Sequence, residues 1–237
     1  MTGLFSCALA AQENVAADSR SEAIRLSRTG GMVREANTGP SILVLDLQGR
    51  VLPQGVLQQL TREMEDGLRL PLTFATKKPA PLEKTLDGVF VDKSVAFVVA
   101  VVSEPGKPSL LVAPESRWVA VNVAQLKAGT ADGDTLILRV RKELWRALGY
   151  LMGAGNSITE HCLLKPVFDL DGLDAIKMQV LSPEPMNQMH QSASALGVRS
   201  IRVATYRTAC LQGWAPTPTN DYQRAIWDEI KAKAEAK

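Results

Sequence analysis

The stretch Lys142-Glu143-Leu144-Trp145-Arg146-Ala147-Leu148-Gly149-Tyr150-Leu151-Met152 decides how this chain is read. It continues a helical pattern that begins after Gly133-Asp134, so one long helix is predicted over about 135–152. At 3.6 residues per turn, Ile137, Val140, Leu144, Leu148 and Leu151 form one apolar stripe, the face that packs on a sheet. Lys142, Arg146 and Gly149 fall on the opposite face within a narrow arc.

Upstream, Ile42-Leu43-Val44-Leu45-Asp46-Leu47 is a near-continuous apolar run, as a buried strand requires. Gln48-Gly49-Arg50 turns the chain, and Pro53 suits a first helical turn. Leu57, Leu60, Met64 and Leu68 follow at helical spacing, so 53–67 reads as an amphipathic helix. Further strands are predicted at 70–76, 94–102, 110–113 and 118–122, with a Pro/Lys-rich loop over 77–87. Pro114-Glu115-Ser116 joins the last two strands tightly, as in an antiparallel pair. The order is strand, helix, four strands, helix. It predicts an α+β fold with a mixed sheet, helices packed against it, and a right-handed first crossover.

Downstream, Gly153-Ala154-Gly155-Asn156-Ser157 reads as a helix cap and turn; a phosphate cradle would precede a helix. Pro183-Glu184-Pro185 opens a helix of about 186–196. A short strand is predicted at 198–203, and a last helix at 221–236 with Asn220 as its N-cap.

Glu143 and Gly149 keep the spacing of H-E-x-x-H-x-x-G-x-x-H. In that motif the histidines converge on zinc and the glutamate acts as general base on the bound water. Lys142, Arg146 and Met152 stand at the three histidine positions. Zinc takes a neutral imidazole, a thiolate or a carboxylate; cations repel it and a thioether holds it poorly.

With the strand order, this degenerate motif resembles the metzincins, and in particular the archaemetzincins, over about 42–186. The resemblance implies a zincin/metzincin-like mixed sheet with packed helices. It implies an N-terminal lobe at 41–157 ending in the motif helix, then a small C-terminal subdomain at 158–237. Glu143 would be the catalytic base if the chain is active, and Gly149 the motif glycine. Met186 or Met178 would supply the family's Met-turn; a plain core methionine is the other reading. Archaemetzincins also carry several cysteines after the third histidine for a second zinc, and here only Cys162 stands in that region. The segment from 206 through Trp214-Ala215-Pro216 to Trp227 is similar to the end of degenerate relatives that keep the 153–157 loop.

The cationic face has two readings. In one, Lys142 and Arg146 lie on a solvated helix face with Glu143 as a surface partner. In the other, Arg146 or Lys142 fills the metal space of a relic cleft and pairs with a carboxylate. Such a cleft binds an anion or a peptide carboxylate.

The rest of the chain narrows the functional classes. With 27 basic against 25 acidic residues, the net charge of +2 argues against a nucleic-acid surface. The longest apolar run, 95–102, is too short to span a bilayer. Residues 1–11 read as a truncated signal segment with small residues near a cleavage site, and 12–40 as a polar tail or linker with a short helix near 22–26. A periplasmic or secreted location follows from that segment. Cys162 and Cys210 would then form a disulfide worth about 4 kcal/mol in the chain-entropy account; in a reducing compartment they are buried free thiols.

The leading expectation is a catalytically inactive metzincin-like protein of the cell envelope, without zinc, with a binding or structural role. Its partners would be proteins, peptides or glycoconjugates. A purely structural module with its cleft filled by side chains is a variant of this. The alternative is an active metal-dependent hydrolase with Glu143 as base and ligands drawn from His161, Cys162 or His190.

Overall fold

The computed structural model describes residues 22–79, 81–86, 89, 93–129, 132–159, 162–177 and 181–235; the signal-like segment 1–11 lies outside them. In chain order the elements begin with α1 (22–29), β1 (Met32–Arg34), β2 (Ser41–Asp46), α2 (Val56–Leu68), β3 (Leu72–Thr76) and α3 (Leu82–Leu86). Next come β4 (Val95–Val102), β5 (Leu110–Ala113), a 3-10 turn (Pro114–Ser116), β6 (Trp118–Asn122), α4 (Val123–Leu126) and α5 (Gly133–Leu151). The chain ends with α6 (Leu170–Ala175), α7 (Pro183–Ala195), β7 (Val203–Thr205), α8 (Tyr206–Leu211) and α9 (Asp221–Glu235).

These elements form two compact units, Asn37–Ser200 and the pair of segments Met1–Ala36 and Ile201–Lys237. This corrects the division expected at 157/158. The described part of 158–200 belongs with the larger lobe, because Met189 and Ala193 of α7 enter the same core as α5. The segment before Asn37 is not a plain tail: β1 pairs antiparallel with β7, Met32 opposite Thr205.

The larger unit is built on a five-stranded mixed sheet of order β3-β2-β4-β6-β5. β2, α2 and β3 form a parallel β-α-β unit; β4 and β6 extend the parallel part, and β5 closes the edge antiparallel to β6. Alternation sorts the strands onto two faces. Phe97, Val99 and Val101 of β4 pack with α2, α5 and α7 on one side. Val98, Ala100 and Val102 pack with Leu86 and Val89 on the other. That double burial is why β4 is apolar without interruption. The fold is α+β, as expected from the order of the apolar runs.

In the smaller unit, Tyr206 is fully buried and its hydroxyl donates to Pro216 O at 3.0 Å. Gly30 sits at φ +69°, and a Cβ there would stand 2.7 Å from Tyr206 Cβ, so this close approach requires glycine. The predicted strand at 198–203 is confined to Val203–Thr205. Val198 instead closes α7, its amide donating to Ala193 O at 3.0 Å. Among the described residues no helix is long and apolar enough to cross a membrane.

Candidate functional site

α5 is the element on which the site is built. Asp132 caps its start, accepting from the amides of Asp134 and Thr135 at 3.0 and 3.3 Å. Its end is a Schellman turn: Gly153 takes φ +83°, Ala154 donates to Gly149 O at 2.9 Å and Gly153 to Tyr150 O at 3.2 Å. The cap read from the 153–157 loop is therefore present.

The solvated-face reading does not hold. Arg139, Lys142 and Arg146 are 6%, 7% and 5% exposed, and Glu143 only 4%. Each cation is occupied by a pair of backbone carbonyls. Arg139 Nη1 donates to Leu126 O and Ala128 O, both at 2.9 Å. Lys142 Nζ donates to Leu173 O at 2.8 Å and Asp174 O at 3.1 Å. Arg146 Nη1 donates to Leu163 O at 2.6 Å and Lys165 O at 2.8 Å. Arg139 and Lys142 thereby close the C-terminal ends of α4 and α6, where unpaired carbonyls gather and the helix dipole is negative. The face is polar because it stitches three chain segments to α5, and buried because those segments cover it.

The carboxylates divide the same cluster. Asp174 takes Arg139 in a forked contact, with Nε at 2.9 Å and Nη2 at 2.6 Å. The arginine's hydrogen bonds hold this carboxyl below the usual carboxylate range. Burial pushes Glu143 the other way, above its ordinary value, with the nearby Arg146 charge only partly offsetting it. Burial likewise lowers the Lys142 ammonium. Glu143 Oε1 is 3.4 Å from Arg146 Nε. Among the described residues, Glu143 Oε2 and Arg146 Nε have no hydrogen-bond partner. The Tyr150 ring lies under the Arg146 guanidinium at 5.5 Å, and its hydroxyl donates to Asn156 Oδ1 at 2.9 Å. Glu143 and Arg146 line a pocket of about 400 Å³, shared with Leu110, Gln125, Phe168 and Asp169.

The other expected site residues fall as follows. Met152 is buried in the main core, and its carbonyl accepts from Ser192 Oγ at 2.6 Å. Gly149 lies against Leu164, whose Cδ2 would be 2.8 Å from an added Cβ. Met186 sits within α7, half-buried against the core, so it forms no Met-turn: Pro183 and Pro185 start a helix there. Met178 and His161 lie outside the described residues. His190 Nδ1 is 3.2 Å from Ser200 Oγ. Cys162 is buried with Sγ 3.4 Å from Ser182 Oγ, and Cys210 is half-buried in the other unit; both are free thiols, not a disulfide. Among the described residues no three His, Cys, Asp or Glu side chains converge to hold a metal.

Zinc, which the motif's family implies, does not fit the residues present. Lys142 and Arg146 are cations already committed to four carbonyls. Sequence reasoning missed Arg139 and Asp174. The signal for Arg139 was its spacing, three and seven residues ahead of Lys142 and Arg146 on one face. Nothing local marks Asp174.

No protein-family model matches the chain, and no curated protein matches it. Solved structures do. A zinc-dependent peptidase from Methanocorpusculum labreanum superposes with a TM-score of 0.51 at 19% identity, over 62% of this chain and 99% of the other. Archaemetzincin from Methanopyrus kandleri superposes with a TM-score of 0.53 at 18% identity, over 66% of this chain and 96% of the other. At such identity the likeness is one of fold, and the chain has an archaemetzincin-like, metallopeptidase-type fold.

Proposed function

We propose that this chain keeps a metallopeptidase-like scaffold for binding and carries out no zinc-dependent hydrolysis. The observation that carries the reading is the double-carbonyl capture by Lys142 and by Arg146. A side chain with two short hydrogen bonds inside the fold is a structural cross-link, and a cation there works against a metal ion. The proposed partners are proteins, peptides or glycoconjugates in the periplasm or outside the cell. The signal-like start of the sequence supports that location, and the near-zero charge balance argues against nucleic acid.

A second reading draws on Glu143. A buried carboxyl with a raised pKa at a pocket suits a general acid or base, which supports a hydrolase with Glu143 as its proton acceptor.

The test is the metal content of purified, tag-free protein after dialysis, read by mass spectrometry beside peptidase assays. Less than about a tenth of an equivalent of any transition metal, with no peptide cleavage, is expected. Near-stoichiometric zinc, or cleavage that Glu143→Gln abolishes, would overturn the binding reading.

A further inference from the structure

The pocket of about 400 Å³ beside α5 has walls of two kinds. Leu110, Val167 and Leu173 give it an apolar side, while Glu143 and Asp169 add two acidic residues, Asp169 also capping α6 by accepting from Gly172 N at 2.7 Å. Phe168, also on the wall, is almost fully exposed. The wall's cation, Arg146, has Nη1 occupied by Leu163 O and Lys165 O. Its Nε meets Glu143 Oε1 only as a 3.4 Å ion contact.

That leaves Glu143 Oε2, on a side chain 4% exposed, with no donor among the described residues. A buried carboxylate without a donor is costly, and the cost is larger for a charged group than for a neutral one. A neutral donor satisfies the lone pair. A cationic donor satisfies it and also balances charge that Arg146 only partly covers. An anion would meet two acidic residues and one cation, whose Nη1 is already held by Leu163 O and Lys165 O. The open face of Phe168 adds a surface that attracts cations.

We propose that this pocket takes an organic cation, an ammonium or guanidinium on a short apolar stem, with its charged head at Glu143 and Asp169. The stem lies along Leu110, Val167 and Leu173. The inference rests on reading the site as a binding site, and it names the ligand class that site selects. Two sources supply such a group: a free small amine, or a lysine or arginine side chain of another protein.

The test titrates chelator-treated, full-length protein with n-butylammonium by calorimetry and by amide NMR shifts. The controls are 1-butanol, which matches its length without charge, and an acetylated, amidated Ala-Lys-Ala peptide. Binding by n-butylammonium in the millimolar range is expected, about tenfold or more tighter than 1-butanol. Glu143→Gln, which keeps the side-chain shape, should weaken it about tenfold, and Asp169→Asn, which keeps the α6 cap, by a smaller factor. Peptide binding as tight as that of the amine points to a protein side chain as the natural ligand, and its exclusion points to a free small cation.

Equal binding of 1-butanol would overturn the proposal. So would unweakened binding by both variants, each shown folded by its NMR spectrum, or no binding up to about 50 mM amine. Zinc in the untreated protein would overturn the reading of the preceding subsection alone, because the titration is made on stripped protein.

Discussion

Arg146 Nε stands 3.4 Å from Glu143 Oε1, one turn along the same helix, and both side chains are buried. Buried pairs of this kind are asymmetric: losing one member strands the other's charge, while losing both costs less. Arg146→Met should therefore destabilise the protein by about 3–5 kcal/mol, since it also orphans Leu163 O and Lys165 O. Glu143→Leu combined with Arg146→Met should recover part of that loss. Urea denaturation of both variants checks this. Equal destabilisation would show that the arginine does not compensate Glu143.

Lys142 tests the cross-linking role separately. Lys142→Met keeps the stem and removes the donor to Leu173 O and Asp174 O, a loss of about 2 kcal/mol. The loss should be local: amide exchange over Leu170–Ala175 should accelerate before that of β4. Unchanged exchange in α6 would refute the assignment.

The two carboxyls give opposite pH dependence. Asp174 is held below its ordinary range by Arg139, so its stabilisation is present above that range and is lost as pH falls through the lowered value. Glu143 is raised by burial, so its contribution is present at pH below the ordinary range and is lost as pH rises through the raised value. Denaturation curves between about pH 7 and pH 3 should thus respond in opposite senses. Asp174→Asn should flatten the loss of stability on acidification and Glu143→Gln should steepen it. The same slope in both variants would contradict the assigned shifts.

The free thiols predict a labelling order. Cys210 is half-buried and Cys162 buried, so a maleimide should modify Cys210 in the native protein and Cys162 only on unfolding. Reductant should leave the melting temperature unchanged. Faster modification of Cys162, or a melting point that drops on reduction, would be inconsistent with the structure.

Much of the architecture was readable because burial writes a period into the sequence. The runs at 42–47 and 94–102, and the stripes Leu57-Leu60-Met64-Leu68 and Val140-Leu144-Leu148, place β2, β4, α2 and α5 within a few residues. The elements missed were β1, α3, α4, α6 and α8, each too short to complete a periodic pattern. The site was half legible. Glu143, Arg146 and Lys142 were singled out by spacing, but a charged helix face is ordinarily assigned to water. What buries them is carbonyl groups 17 and 31 residues downstream, at Leu163 and Leu173, and no local pattern announces them. Gly149 was marked as a motif glycine, yet its visible role is to admit Leu164 against the helix.

The ion pair of Glu35 with Arg202 joins positions 167 residues apart in the chain, beside the strands β1 and β7 that bind the smaller unit. On the ribosome those halves emerge roughly ten to thirty seconds apart. Throughout that interval β1 is a strand without a mate, while the sheet of Asn37–Ser200 has every strand it uses as soon as Asn122 is made. The smaller unit is the last to exist, and translation that stops before Ile201 never makes it at all.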